Sequence, residues 1–210
     1  MSVFSFLKLT QFSFMQLFFI TIIMFGITSH VNAAAIGMPK STLKYGLATH
    51  AGFYKIHDPN GETDNAFFVQ PYHFIVSDWL PNGYKYWLEI YYSAIAFNAT
   101  HNHMGQEIKQ SGSKMSLLYE FNANKNWHPW LGAGLDLSYS KANKRHAIDS
   151  DGYLIQQFND RNFLNAAVLM QAAAEWHFSS TWYSGLKAEY RLPVGKTVQS
   201  LTLSLYFLIR

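Results

Sequence analysis

The last ten residues carry the pattern that constrains the whole chain. Leu201, Leu203, Leu205, Phe207 and Ile209 alternate with Thr202, Ser204, Tyr206, Leu208 and Arg210. A period of two puts successive side chains on opposite faces of an extended strand. The same period runs through Tyr86, Leu88, Ile90, Tyr92, Ala94 and Ala96, set against Lys85, Trp87, Glu89, Tyr91 and Ser93. It returns in Leu164, Ala166, Val168, Met170, Ala172, Ala174 and Trp176, set against Asn165, Gln171, Glu175 and His177. The alanines of this third stretch are compatible with a helix, but sustained alternation predicts a strand. Turn signals divide the body into eight such segments, near 42–56, 66–78, 84–97, 107–121, 127–139, 162–178, 182–192 and 198–210. Most run about 11–14 residues, where a soluble strand has about five or six. Strands tilted through a bilayer need about 9–11 residues plus overhang.

The connections alternate too. Leu80-Pro81-Asn82-Gly83, Asn122 to Asn126 and Ser179-Ser180-Thr181 are short. His57 to Asn65, Asn98 to Gln106 and Ser140 to Arg161 are longer, and Pro193 to Thr197 breaks the rule. Short turns at one end and long loops at the other predict an all-β chain, an eight-stranded antiparallel transmembrane up-and-down barrel. An even strand number leaves both termini on the short-turn side.

Composition agrees. Charged residues make up 14% and aromatics 17%, against a usual charged share of about 25%. Such aromatic content excludes disorder. A mean hydropathy of −0.06 excludes a bundle of membrane-spanning helices. It does not exclude a barrel, because alternation averages a lipid-facing residue with a lumen-facing one. The net charge of +3 is too slight for a nucleic-acid partner. The absence of cysteine excludes a disulfide framework and cysteine-zinc chemistry.

The first 35 residues read as a cleaved secretory signal. Lys8 precedes an apolar run from Leu17 to Ile27, and small residues follow to Ala35. Cleavage after Ala33 or after Ala35 fits. The competing reading, a membrane anchor, needs about 20 apolar residues. The domain expectation is therefore signal peptide 1–35 and barrel 36–210.

A lipid-facing wall must be free of charge at bilayer depth, because a mid-plane Lys or Arg costs about 2–4 kcal/mol. Trp127, Pro129, Leu131, Ala133, Leu135, Leu137 and Tyr139 supply such a face, as do Trp182, Ser184, Leu186, Ala188 and Tyr190. Glu107 and Lys109 share the outward face of their strand but sit at its loop end. The second segment resists orientation, with Pro71 and His73 on one face and Gln70 and Asp78 on the other. The predicted lumen network is Lys44, Lys85, Glu89, Lys114, Glu120, Asp136, Glu175, Lys187, Glu189 and Arg191. Eight strands leave an interior just filled by side chains, so a paired polar plug is the default and a narrow path the alternative. Rings gather at the short-turn ends of the strands. Trp79, Tyr84, Trp127, Trp176, Trp182 and Tyr183 are the expected aromatic girdle.

On these features residues 40–210 resemble the outer-membrane β-barrel domain family, the small eight-stranded barrels of OmpX and OmpA type. Leu201 to Phe207 looks like the C-terminal signal that barrel-assembly machinery reads in that family, though Leu208-Ile209-Arg210 follow the aromatic here. The resemblance implies an outer-membrane location, lipid and lipopolysaccharide neighbours, a monomer, and long loops (57–65, 98–106, 140–161, 193–197) outside, with both mature termini periplasmic. Some barrels of this size are lipid A deacylases, with His-x-Ser near the outer end of strand seven and Glu near the start of strand eight. Ala188-Glu189-Tyr190-Arg191 and Thr197-Val198-Gln199 offer no such His or Ser, and His177-Phe178-Ser179 falls at the opposite end. The expectation is a non-enzymatic protein with a structural or surface-interaction role, no cofactor and no metal. A small-molecule conduit or a lipid A-modifying enzyme is the alternative.

Three loops carry metal-ligand residue types: His101 and His103; Asp58, Asn60, Glu62 and Asp64; Asp149 and Asp151. Turns select Asp and Asn for local backbone reasons, which is the plainer explanation. Lys141, Lys144, Arg145 and His146 make the longest loop basic, either simply solvated or in contact with the anionic outer leaflet.

Overall fold

The computed structural model describes residues 43–121, 127–195 and 198–210, without the side chains of Pro71, Tyr72 and Pro81. The expected signal peptide and the turn 122–126 lie outside the described residues. The long strands are β1 (Lys44–Asp58), β2 (Ala66–Leu80), β3 (Tyr84–Phe97), β4 (Gly105–Glu120), β5 (Trp127–Ile148), β6 (Arg161–His177), β7 (Trp182–Pro193) and β8 (Val198–Ile209). Each pairs antiparallel with the next, and β8 returns to β1 from Ile209 opposite Tyr45 to Val198 opposite Ile56. The sheet is thus a closed eight-stranded antiparallel barrel, with the β2–β3 ladder running from His73 opposite Tyr91 to Leu80 opposite Tyr84.

Two strand ends outrun the sequence expectation. Past β1, the short strand Gly61–Glu62 folds back onto His57 and Asp58. β5 reaches Ile148, and Leu154–Gln157 pairs with its end. Much of the expected 140–161 loop is therefore a hairpin. Its alternation breaks at Lys144, whose φ of 52° is left-handed. Between Gly105 and Glu107 on β4, the partner on β5 moves from His146 to Asn143. One extra residue is bulged there, which turns both Ala142 and Arg145 inward.

A second bulge resolves the strand that could not be oriented. From Ala48 to His50 on β1, the partner on β2 moves from His73 to Gln70. The extra residue lies at 71–72, where Pro71 has no N–H to give a ladder. The parity of β2 switches across it. Phe67 and Val69 face out on one side, and His73, Ile75 and Ser77 face in on the other. Gln70 and His73, which plain alternation puts on opposite faces, both point into the barrel.

The outer wall is apolar. Leu137 and Met115 are each 61% exposed and Leu164 81% exposed. Among the described residues, charges on this wall occur only at its ends. Asp78 lies by the short turns, and Lys55, Glu107, Lys109, Lys141 and Lys144 by the long loops.

Candidate functional site: the filled lumen and its rims

All ten charges assigned to the lumen stand on the inner wall, nine buried and Glu120 partly so. They comprise five cations and five carboxylates, and they pair across strands. Lys44 of β1 and Lys85 of β3 meet Glu175 of β6 at 2.8 and 2.9 Å. Lys187 of β7 meets Glu89 of β3 at 2.6 Å and its neighbour Glu189 at 3.2 Å. Lys114 of β4 meets Glu189 at 2.6 Å and Glu89 at 3.1 Å. Arg191 of β7 meets Asp136 of β5 at 2.5 Å, and the Tyr91 hydroxyl donates to the same carboxylate at 2.9 Å. The Gln171 amide adds a donor to Glu189 at 2.7 Å. The remaining acid, Glu120, is held by His128 at the short-turn mouth. Pairing of this kind is what permits charge in a low-dielectric interior, since a lone buried ion is costly.

Apolar layers lie on both sides of the mid-lumen group formed by Glu89, Lys114, Asp136, Lys187, Glu189 and Arg191. Toward the short turns Ile75, Trp87, Leu118, Trp130, Tyr183, Tyr206 and Leu208 pack together. Two ammonium groups rest on their rings: Lys85 Nζ lies 4.0 Å from the Trp130 centroid, and Lys44 Nζ lies 3.6 Å from that of Tyr183. Contacts of this type are favourable when desolvated. Toward the long loops Tyr54, Ile56, Ile95, Phe97, Ile108 and Val198 form a second plug. Between the layers, a cavity bordered by Tyr91, Asp136 and Arg191 measures about 20 Å³, room for about one water.

Four girdle residues, Tyr84, Trp127, Trp176 and Trp182, are exposed on the outer wall at the short-turn end. Trp79 and Tyr183 correct the expectation. Trp79 packs its ring 4.9 Å from Trp130, inside the barrel. Its inward parity follows from the bulge at 71–72. Tyr183 shares the parity of Lys187 and Glu189 and is only 7% exposed. Trp130, also at a strand end, is fully buried for the same reason.

The loop acids are engaged by their own turns. Asp149 Oδ1 accepts the N–H groups of Asp151 and Tyr153, and Asp64 Oδ1 that of Asn65. The Asp58 carboxylate accepts from Asn60 N–H and from Arg145. His103 contacts Thr100 at 3.2 Å. Arg145, expected on a solvated loop, is instead buried.

A cluster missed by sequence reading lies in the lumen. His50, His73 and Glu89 bring one ligand-type atom each within 4.8 Å of one another. The imidazoles stack with centroids 3.7 Å apart. His73 Nδ1 meets Glu89 Oε1 at 2.7 Å. His50 Nε2 lies 3.1 Å from the same oxygen, out of line for a hydrogen bond. That carboxylate already takes Lys114, Lys187 and the Trp87 indole N–H. A dication would therefore compete with two ammonium groups, and the cluster belongs to the network. The bulge that turns His73 inward has no signature in alternation; Pro71, a residue that sheets admit at bulges, is the sequence signal that could have found it.

The deacylase geometry is likewise not assembled. Ser179 Oγ accepts the backbone N–H groups of Thr181 and Trp182. His177 stacks on His128 at 4.1 Å and lies 3.6 Å from Glu175. Glu189 is bound to lysines deeper in the lumen.

No family model and no curated protein matches the chain. Solved structures similar to it are small barrels. The attachment invasion locus protein Ail of Yersinia pestis is 10% identical, with a TM-score of 0.48 over 79% of this chain and 97% of that one. Neisserial surface protein A is 14% identical, with a TM-score of 0.48 over 79% and 96%. The N-terminal β-barrel domain of Pseudomonas aeruginosa OprF is 10% identical, with a TM-score of 0.41 over 80% and 99%.

Proposed function

We propose that this chain is an integral outer-membrane barrel with a structural or surface-interaction role, its long loops outside and its termini periplasmic. The observation that carries this reading is the outer wall, which bears no charge between its two ends. Along β4, Tyr119 and Lys109 are ten residues apart on the outward face. At about 3.3 Å per residue and a tilt of about 40°, that separation is roughly 25 Å along the axis. This is the height of an outer-membrane apolar band.

The packed lumen supports a closed core over a conduit: two apolar plugs flank the mid-lumen ion pairs, and the cavity between them is of single-water size. The separation of His177, Ser179 and Glu189 supports a non-enzymatic role. Barrel-assembly machinery would receive the chain through β8.

Heat-dependent migration on a detergent gel tests the membrane reading. The folded barrel migrates differently unboiled and boiled, and identical migration would overturn it. Lipid A mass spectra of expressing cells should match those of control cells. Loss of an acyl chain would overturn the non-enzymatic assignment.

A further inference from the structure

Two lysines face each other directly on the outer wall. Lys109 of β4 and Lys141 of β5 are register partners, and both are exposed. Directly opposed side chains have Cβ atoms about 4.5–5.5 Å apart, and like charges there are destabilising. The local compensation is incomplete. Glu107 is the one carboxylate beside them, and it lies 3.5 Å from Lys109 but 3.0 Å from Lys144. Its carboxyl is held below the ordinary range first by the Lys144 hydrogen bond. Lys141 makes no ion pair among the described residues. Three ammonium groups and one carboxylate leave an excess of two positive charges.

The height of the pair is as telling as its charge. The next outward residues toward the short turns are Ser111 on β4 and Tyr139 on β5, and below them come Leu137, Leu135 and Met115. Leu164, the partner of Tyr139, extends the apolar surface onto β6. Asn162, the partner of Lys141, adds an exposed amide at the level of the lysines. A ligand seated here would meet cations and a polar rim at its head and aliphatic wall along its tail.

We propose that Lys109 and Lys141 form a clamp for the phosphate monoester of an outer-leaflet lipid. A phosphate monoester carries about −1.5 to −2 charges at neutral pH, which matches the local excess. The lipid-anchored form is the one that fits, because the clamp stands at the top of the apolar band rather than out in a loop. This proposal rests on the membrane reading above.

The test uses the full mature chain in phosphatidylcholine nanodiscs doped with phosphatidic acid, with retained lipid counted by native mass spectrometry after release. Wild type should keep phosphatidic acid in preference to phosphatidylcholine. K109Q/K141Q should lose that preference by about fivefold per lysine removed, as expected of a cation at a charged lipid surface. K55Q, at a separate part of the rim, should retain it. Unchanged preference in the double variant, with heat-modifiable migration intact, would overturn the clamp alone. Displacement of the lipid by free inorganic phosphate would overturn the lipid-anchored source. Failure of the wild type to enter the bilayer would overturn both the clamp and the membrane reading.

Discussion

Arg145 donates from Nη2 to Asp58 Oδ1 at 2.6 Å, tying the far end of β5 to the far end of β1. These strands stand on opposite sides of an eight-stranded ring, so the pair straps the lumen above its upper apolar plug. A second donation, from Nη1 to the Asn159 carbonyl at 2.6 Å, fixes the descending arm of the long hairpin to the same point. Replacing Arg145 by Met leaves a buried carboxylate without its cation, a change that costs about 3–5 kcal/mol when the ion is fully desolvated. R145M should therefore lower the urea midpoint of unfolding in bilayers, and D58N/R145M should recover much of the loss. A single variant as stable as wild type would contradict the strap.

Glu89 is the most heavily used acid of the lumen. E89Q would leave Lys114 and Lys187 to share Glu189, so the expected cost is again of the order of 3–5 kcal/mol. Thermal conversion to the boiled form should occur at a lower temperature. A double-mutant cycle with K187M should show coupling of about 0.5–3 kcal/mol. Strict additivity would mean that the Glu89–Lys187 contact at 2.6 Å contributes nothing.

The bulge at 71–72 sets which face of β2 enters the lumen. Deleting Pro71 removes the extra residue and leaves Gln70, Tyr72 and His73 opposite His50, Thr49 and Ala48, a regular ladder in which Gln70 and His73 still face in and Phe67 and Val69 still face out. The deletion should therefore keep the heat-modifiable form, as should P71A. Loss of that form on deletion alone would show that the bulge itself, and not only the facing of Gln70 and His73, is needed.

At the long-loop rim Glu62 is bonded by Lys55 at 2.6 Å and by His57 at 2.8 Å. The Lys55 hydrogen bond, followed by that of His57, lowers its carboxyl from 4.5 to about 2. A depressed carboxylate contributes stability above its unfolded pKa, and that contribution fades as pH falls through the folded value. The side chain is exposed, so the effect is confined to the rim. Carboxyl NMR in micelles should place the Glu62 midpoint near 2, and K55M should move it up toward 4.5. An unmoved midpoint would remove Lys55 as the cause.

Period two made the barrel legible, because each strand had to hold lipid on one face and ion pairs on the other. It placed Lys187, Glu189 and Arg191 inside without any structural knowledge. The misplaced rings have two different causes. Tyr183 follows the same parity as those three residues, and the rule of rings at strand ends overrode a phase already visible. Trp79 depended on the bulge at 71–72, and Arg145 on the one beside Lys144. A bulge changes phase through a single inserted residue, and no average over a window registers it. His50 and His73 were invisible as a pair for the same reason, since only the shifted strand brings them together.

The lumen network has a consequence for how the chain reaches its final state. Among the described residues, five of its seven Lys or Arg pairs join strands that are not neighbours, as Lys44 on β1 does with Glu175 on β6. An unclosed sheet would present these groups to whatever medium it sits in, with their counterions still far away in space. In lipid such a ribbon would be prohibitive; in water it would be well tolerated. Closure must then accompany insertion rather than follow it. A half-closed sheet has nowhere to rest, and the passage from aqueous chain to sealed cylinder approaches a single step.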